Sequence, residues 1–159
     1  MKTQFHIASL AILLLPFAND CFSAEELANN WHQWRGPLGN GTSPTAQPPL
    51  RWSETQNVKW KVAIEGKGTS TPIIWGDYVF ILTTVETELK DTSIPDPEDQ
   101  PKTNFFNIKQ PNRQHEFVVL CLDRKSGAQI WRRVATKKIP HEGAHHDNDF
   151  ASASPTTDG

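Results

Sequence analysis

The sequence predicts an all-β chain of short antiparallel strands, and three observations carry that expectation. Twelve prolines and nine glycines among 159 residues interrupt the chain too often for long helices, and only 36% of it is apolar. The apolar residues fall in short runs, some alternating with polar residues and some apolar throughout, as strands with one or two buried faces require. Turn-forming groups such as Gly76-Asp77 separate those runs.

The N-terminus reads differently. Lys2 precedes a mostly apolar run over residues 7–17, small residues follow at Ser23 and Ala24, and Glu25-Glu26 comes next. That order predicts a secretory signal peptide over 1–24, with cleavage after Ser23 or Ala24. The run is shorter than the roughly 20 residues a bilayer span needs, so no transmembrane span is expected in the mature chain. Cys21 leaves with the signal in this reading, since Ala18-Asn19-Asp20 does not form a lipobox. Cys121 lies in an apolar run and is expected to be a buried, inert thiol with no disulfide partner. A net charge of −2, without any basic block, excludes a nucleic-acid partner at this level of reading. The expected location is the periplasm or another part of the cell envelope.

Residues 25–56 are expected to be extended. Trp31-His32-Gln33-Trp34-Arg35-Gly36-Pro37 leads into Gly39-Asn40-Gly41 and then Pro44, Pro48 and Pro49, a density that excludes a helix through 29–50. Trp31 and Trp34 are expected to pin this segment down. The remainder, 57–159, carries the strand signals. Val58-Lys59-Trp60-Lys61-Val62 alternates and predicts a strand. Pro72-Ile73-Ile74 leads to a turn at Trp75-Gly76-Asp77, and Tyr78-Val79-Phe80-Ile81-Leu82 predicts the next strand. Phe117-Val118-Val119-Leu120-Cys121-Leu122 is apolar on both faces. Asp123-Arg124-Lys125-Ser126-Gly127 predicts a hairpin turn into Gln129-Ile130-Trp131-Arg132-Arg133. Residues 86–115 read as an inserted polar loop, with Phe105-Phe106 its one feature suited to contact with a ligand or partner.

Two parts of the chain echo each other. Trp60 and Trp131 each sit on a strand beside basic residues. Ser70-Thr71-Pro72 is matched by Ala153-Ser154-Pro155, each with an Asp and a Gly close behind it. The tryptophans stand about 70 positions apart, and about 40 remain once the insertion is removed, the length of one four-stranded propeller blade. The wider spacing from Trp131 to Pro155 places a second insertion, an inter-blade loop, at 138–150. The predicted fold is therefore a β-propeller of four-stranded antiparallel blades, truncated after about one blade at Asp158-Gly159. A single blade cannot cover its own two faces, so residues 25–159 alone are expected to associate or to order only in part. Trp60, Trp75, Gly76, Asp77, Asp123, Gly127 and Trp131 are the expected structural residues.

With those elements in order, the chain resembles the bacterial quinoprotein-like (PQQ-like) β-propeller repeat proteins. The motifs that carry the resemblance are Trp31-x-x-Trp34-Arg35-Gly36-Pro37, Trp52-Ser53-Glu54-Thr55-x-Asn57-Val58-Lys59-Trp60, Ser70-Thr71-Pro72-Ile73-Ile74-Trp75-Gly76-Asp77 and Leu122-Asp123-Arg124-Lys125-Ser126-Gly127-x-x-Ile130-Trp131. The resemblance implies an envelope location and a closed ring of blades. It also implies one of two functions: a non-catalytic binding or scaffold module, or a dehydrogenase that uses pyrroloquinoline quinone with calcium. The repeat pattern without a catalytic constellation favours the first, with an envelope protein or a small molecule as partner, and no cofactor-binding or catalytic residue is assigned.

His141-Glu142-Gly143-Ala144-His145 matches the H-E-x-x-H spacing that places two imidazoles on one zinc when it lies on a helix. Pro140 before it, Gly143 within it and the polar residues after it argue against that helix. The expectation is a solvated polar loop that binds zinc weakly or not at all. The alternative is a loop metal site built from His141, His145, His146 and Asp147.

Overall fold

The computed structural model describes residues 23–102 and 106–159; the proposed signal sequence through Phe22, including Lys2 and Cys21, and Phe105 lie outside them. The described chain is mostly sheet. One short helix, α1 (Ala24–Ala28), precedes four strands: β1 (Ile73–Trp75), β2 (Tyr78–Lys90), β3 (Arg113–Asp123) and β4 (Gln129–Lys138). They form a single antiparallel sheet in the order β1-β2-β3-β4, an up-and-down meander with open edges among the described residues. No helix among these residues is long and apolar enough to cross a membrane.

Two tight turns set the register at one end of the sheet. Gly76 and Asp77 form a two-residue loop between the paired Trp75 and Tyr78, and Gly76 takes a φ of 57°, which suits the first corner of a type II′ turn. At the β3–β4 turn, Oδ1 of Asp123 accepts from the backbone of Lys125 (3.0 Å) and of Ser126 (2.7 Å), and from the Ser126 hydroxyl (2.7 Å). The Ser126 hydrogen bonds hold the Asp123 carboxyl below its ordinary range. The turns are also joined to each other: Arg124 N–H donates to the Asp77 carbonyl at 2.8 Å, and the Lys125 ammonium lies 3.1 Å from the Asp77 carboxylate.

Both faces of β3 carry apolar side chains, as its sequence requires. On one face Val118, Leu120 and Leu122 meet Val79 to form the core, with Ile74, Ile81 and Val85 against it. Burying a side chain such as Leu120 stabilises by about 1.5–3 kcal/mol. The opposite face brings Phe80, Leu82, Phe117, Val119 and Trp131 together around the buried Cys121, and most of these stay half-buried. Burial alone pushes the Cys121 thiol up, so it is a weak nucleophile.

Four expectations need correction. The segment 58–62 is not a strand: it joins no ladder among the described residues, and it is held instead through side chains. Trp60 and Ile64 pack on the core face of the sheet, and the Trp60 indole N–H donates to the Arg124 carbonyl at 3.0 Å. The insertion at 86–115 is shorter than its polarity suggested, because β2 runs on to Lys90 and β3 begins at Arg113. Glu86 stands opposite His115 and Lys90 opposite Arg113 in the ladder, Arg113 ion-pairs with Glu88 at 2.9 Å and lies 3.8 Å from Glu86, and the loop spans 91–112. β4 likewise continues past Arg133 to Lys138, leaving 139–150 as the loop. Finally, 25–56 is not extended throughout. The Ser23 hydroxyl accepts from Glu26 N–H at 3.1 Å and caps α1, whose first turn holds Glu25 and Glu26.

The rest of the N-terminal segment meets the β1 edge. Ile74 N–H donates to the Trp31 carbonyl at 2.8 Å, and Gly76 N–H donates to the Asn30 side chain at 2.7 Å. Trp31 thus holds the segment to the sheet, whereas Trp34 is exposed.

Candidate functional site

At the end of the sheet away from the two tight turns, the 139–150 loop folds back over β2 and β3. Phe150 lies edge-on to the His115 ring, with centroids 5.1 Å apart. Between loop and sheet is an open cleft of about 530 Å³, lined among others by Lys67, Glu86, His115, His145 and Asp149. His115 is buried there. Its Nδ1 lies 3.0 Å from the Arg113 carbonyl, which assigns the proton to Nδ1, and its Nε2 lies 3.8 Å from the Glu86 carboxylate.

The 91–112 loop adds Pro97, Lys109 and Pro111 to the cleft wall and is tied by its own polar groups. Lys90 and the Asn112 side chain both reach Asp96, at 2.6 Å each, and they hold its carboxyl low, Lys90 with the larger effect. Gln100 bonds the Pro95 carbonyl at 2.9 Å and exchanges bonds of 2.8 and 2.9 Å with the Gln110 backbone. The insertion is therefore cross-braced. Phe106, half of the pair noted above, places its ring edge-on to His145 at 4.8 Å.

No helix forms through His141–His145. Gly143 sits so close to the Lys109 carbonyl that a Cβ would collide with it, and this contact divides the motif. His141 and Glu142 line a second cleft of about 600 Å³ beside Ile94, Pro101 and Ile108, whereas His145 and His146 line the first. The two imidazoles of the zinc motif therefore do not converge. Of the four residues weighed as a loop metal site, three come together: donor atoms of His145, His146 and Asp147 lie within 4.8 Å of one another, and His141 is not among them.

The expected structural residues take packing and turn roles. Trp131 tilts against Phe80 at 5.9 Å, and Trp75 meets His32 edge-on at 6.2 Å. The Trp60 indole lies over Gly127 and leaves no room for a side chain there, and the φ of 74° at Gly127 is one that favours glycine. Sequence reading missed an ion network that joins Glu65 to β3 and β4. Arg132 joins Glu65 to Glu116, the latter at 2.7 Å, and Lys137 adds a 2.6 Å pair to Glu116. Lys137 first and Arg132 second hold the Glu116 carboxyl low. No local signal announced this network, because Glu65 is 67 residues from Arg132 in the chain.

No protein-family profile, no curated protein and no solved structure matches the chain.

Proposed function

We propose that this chain supplies a blade, with its flanking segments, of an exported PQQ-like β-propeller that acts as a non-catalytic binding or scaffold module in the cell envelope. The observation that carries the reading is the meeting of its two sequence repeats. Ser70-Thr71-Pro72 and Ala153-Ser154-Pro155 lie side by side: Thr71 N–H donates to the Ser154 hydroxyl at 3.0 Å, and Ser70 N–H donates to the Ala151 carbonyl at 3.0 Å. In a propeller the first strands of successive blades are neighbours around the channel, so equivalent residues are brought together in this way. The two sheet faces are consistent with stacking on both sides. Trp60 and Ile64 already cover one, where a preceding blade would sit, and Phe80, Phe117, Val119 and Trp131 remain half-buried on the other.

A binding role fits this architecture because loops at the ends of a propeller present side chains that the blades hold rigidly. The test uses the protein from the complete reading frame. Small-angle scattering is expected to give the profile of a flat disc with a central channel; an extended, open array of sheets would overturn the fold reading. Titration with pyrroloquinoline quinone and calcium is expected to give neither saturable binding nor quinone-dependent dye reduction, and turnover would establish the dehydrogenase reading in its place. N-terminal sequencing of the envelope fraction is expected to start near Ala24 or Glu25, and material starting at Met1 would overturn export.

A further inference from the structure

We propose that His145, His146 and Asp147 form a site for a late first-row divalent metal ion of the zinc class. This departs from the metal-free loop that the sequence alone favoured, and the reason is geometric. Consecutive residues cannot converge on one ion from a strand, where neighbours point to opposite faces, or from a helix, where they are splayed around the axis. Here Asn148 N–H donates to the His145 carbonyl at 2.9 Å, so 145–148 form a tight turn with His146 and Asp147 at its corners. The turn folds the three side chains toward one point.

The spacing suits a metal. His146 Nε2 lies 3.2 Å from Asp147 Oδ1, and His145 Nδ1 lies 3.6 Å from Asp147 Oδ2. Bonds of about 2.0–2.2 Å in a tetrahedral site place neighbouring ligand atoms about 3.3–3.5 Å apart. The two separations run to different oxygens of Asp147, and with one donor atom from each residue the set lies within 4.8 Å, so side-chain rotations must draw the donors together to reach that spacing. The two imidazole rings lie 4.0 Å apart, near enough for both to reach one ion.

Donor chemistry selects the ion. Two imidazoles and one carboxylate match zinc and its neighbours, whereas calcium and magnesium prefer oxygen ligands throughout. His145 Nδ1 has only a long 3.3 Å contact from Asp147 N–H to give up, so its lone pair is open to exchange. The loop is anchored on both sides of the set. Phe106 braces the His145 ring, and Asp149 Oδ1 accepts from Ala151 N–H at 2.7 Å. Three protein ligands leave a fourth position for water or for a ligand atom.

The test uses the untagged full chain, stripped of metal with a chelator and titrated with zinc by calorimetry near about pH 7.5. One equivalent is expected to bind with a Kd of about 10 µM or tighter, and affinity is expected to weaken as pH falls, because imidazoles ligate only when deprotonated. His146→Ala, at a side chain 78% exposed whose ring touches only loop neighbours such as His145, is expected to weaken binding by at least about tenfold. His141→Ala is expected to leave binding unchanged. Cobalt is expected to produce the visible absorption of a tetrahedral site in wild type and to lose it in His146→Ala. Absence of saturable uptake, unchanged uptake in His146→Ala, or loss of uptake in His141→Ala would each overturn the proposal.

Discussion

Replacing Gly127 by alanine tests whether the Trp60 contact organises the sheet. Gly127 has a φ of 74°, and an added Cβ would stand 2.6 Å from two atoms of the Trp60 indole. Two costs add. A left-handed conformation with a side chain costs about 1–2 kcal/mol, and forcing the indole aside costs about 1–3 kcal/mol as overpacking. Gly127→Ala should therefore destabilise by about 2–5 kcal/mol. Gly76→Ala is the internal control: its φ is also positive, at 57°, but an added Cβ there meets no atom within 4 Å, so only the backbone cost of that turn corner applies, about 1–3 kcal/mol. The assay is urea unfolding of the full chain followed by far-ultraviolet circular dichroism. A double mutant with Trp60→Ala closes the cycle: removing the indole relieves the clash, so the two substitutions should couple by about 1 kcal/mol or more. Equal losses for Gly127→Ala and Gly76→Ala, or strict additivity with Trp60→Ala, would refute the packing argument.

Further outcomes are expected elsewhere in the sheet. Leu120 is 1% exposed, and Leu120→Ala should cost about 2.7–5 kcal/mol in the same urea assay, a loss under about 1 kcal/mol contradicting its place at the core. Lys137 and Arg132 hold the Glu116 carboxyl below its unfolded value of about 4.3, so the stability it contributes is present above that pH and disappears as pH falls through the lowered folded value. The difference in thermal midpoint between wild type and Glu116→Gln should accordingly shrink in acid, and a difference constant from about pH 3 to pH 7 would remove the network from the stability account. In a Cys21→Ser background, Cys121 should resist a thiol reagent until denaturant is added, because it is buried and its thiol is pushed up; prompt stoichiometric labelling would contradict that packing.

The parts of the fold visible in the sequence were those with a short-range cause. The alternation and β-branching of Tyr78-Val79-Phe80-Ile81-Leu82 and the two-faced apolar run of β3 identified the central strands, and Gly76 and the Asp123–Gly127 group identified both turns. Strand ends were misjudged where charged residues are paired across the ladder, as where Arg113 meets Glu86 and Glu88, since polarity alone imitates a loop. The segment 58–62 failed in the opposite sense. Its alternation reports that one side is buried, but Trp60 and Ile64 achieve this by lying on a sheet face without backbone pairing.

The candidate site divides in the same way. From the sequence came the cluster of histidines and acids after β4, and the argument from Pro140 and Gly143 against a helical zinc motif. Only the folded chain separates His141 from His145, because that separation depends on Gly143 meeting a carbonyl at Lys109, more than thirty residues earlier. Only the folded chain gathers His145, His146 and Asp147 through a turn at Asn148, and only it joins Glu65 to Arg132. By itself the sequence determined the all-β class, the central strands and the turns, because period-two alternation and the backbone chemistry of Gly and Asp act over a few residues. The tertiary structure decided which polar groups meet, because those meetings join residues far apart in the chain and leave no local pattern behind.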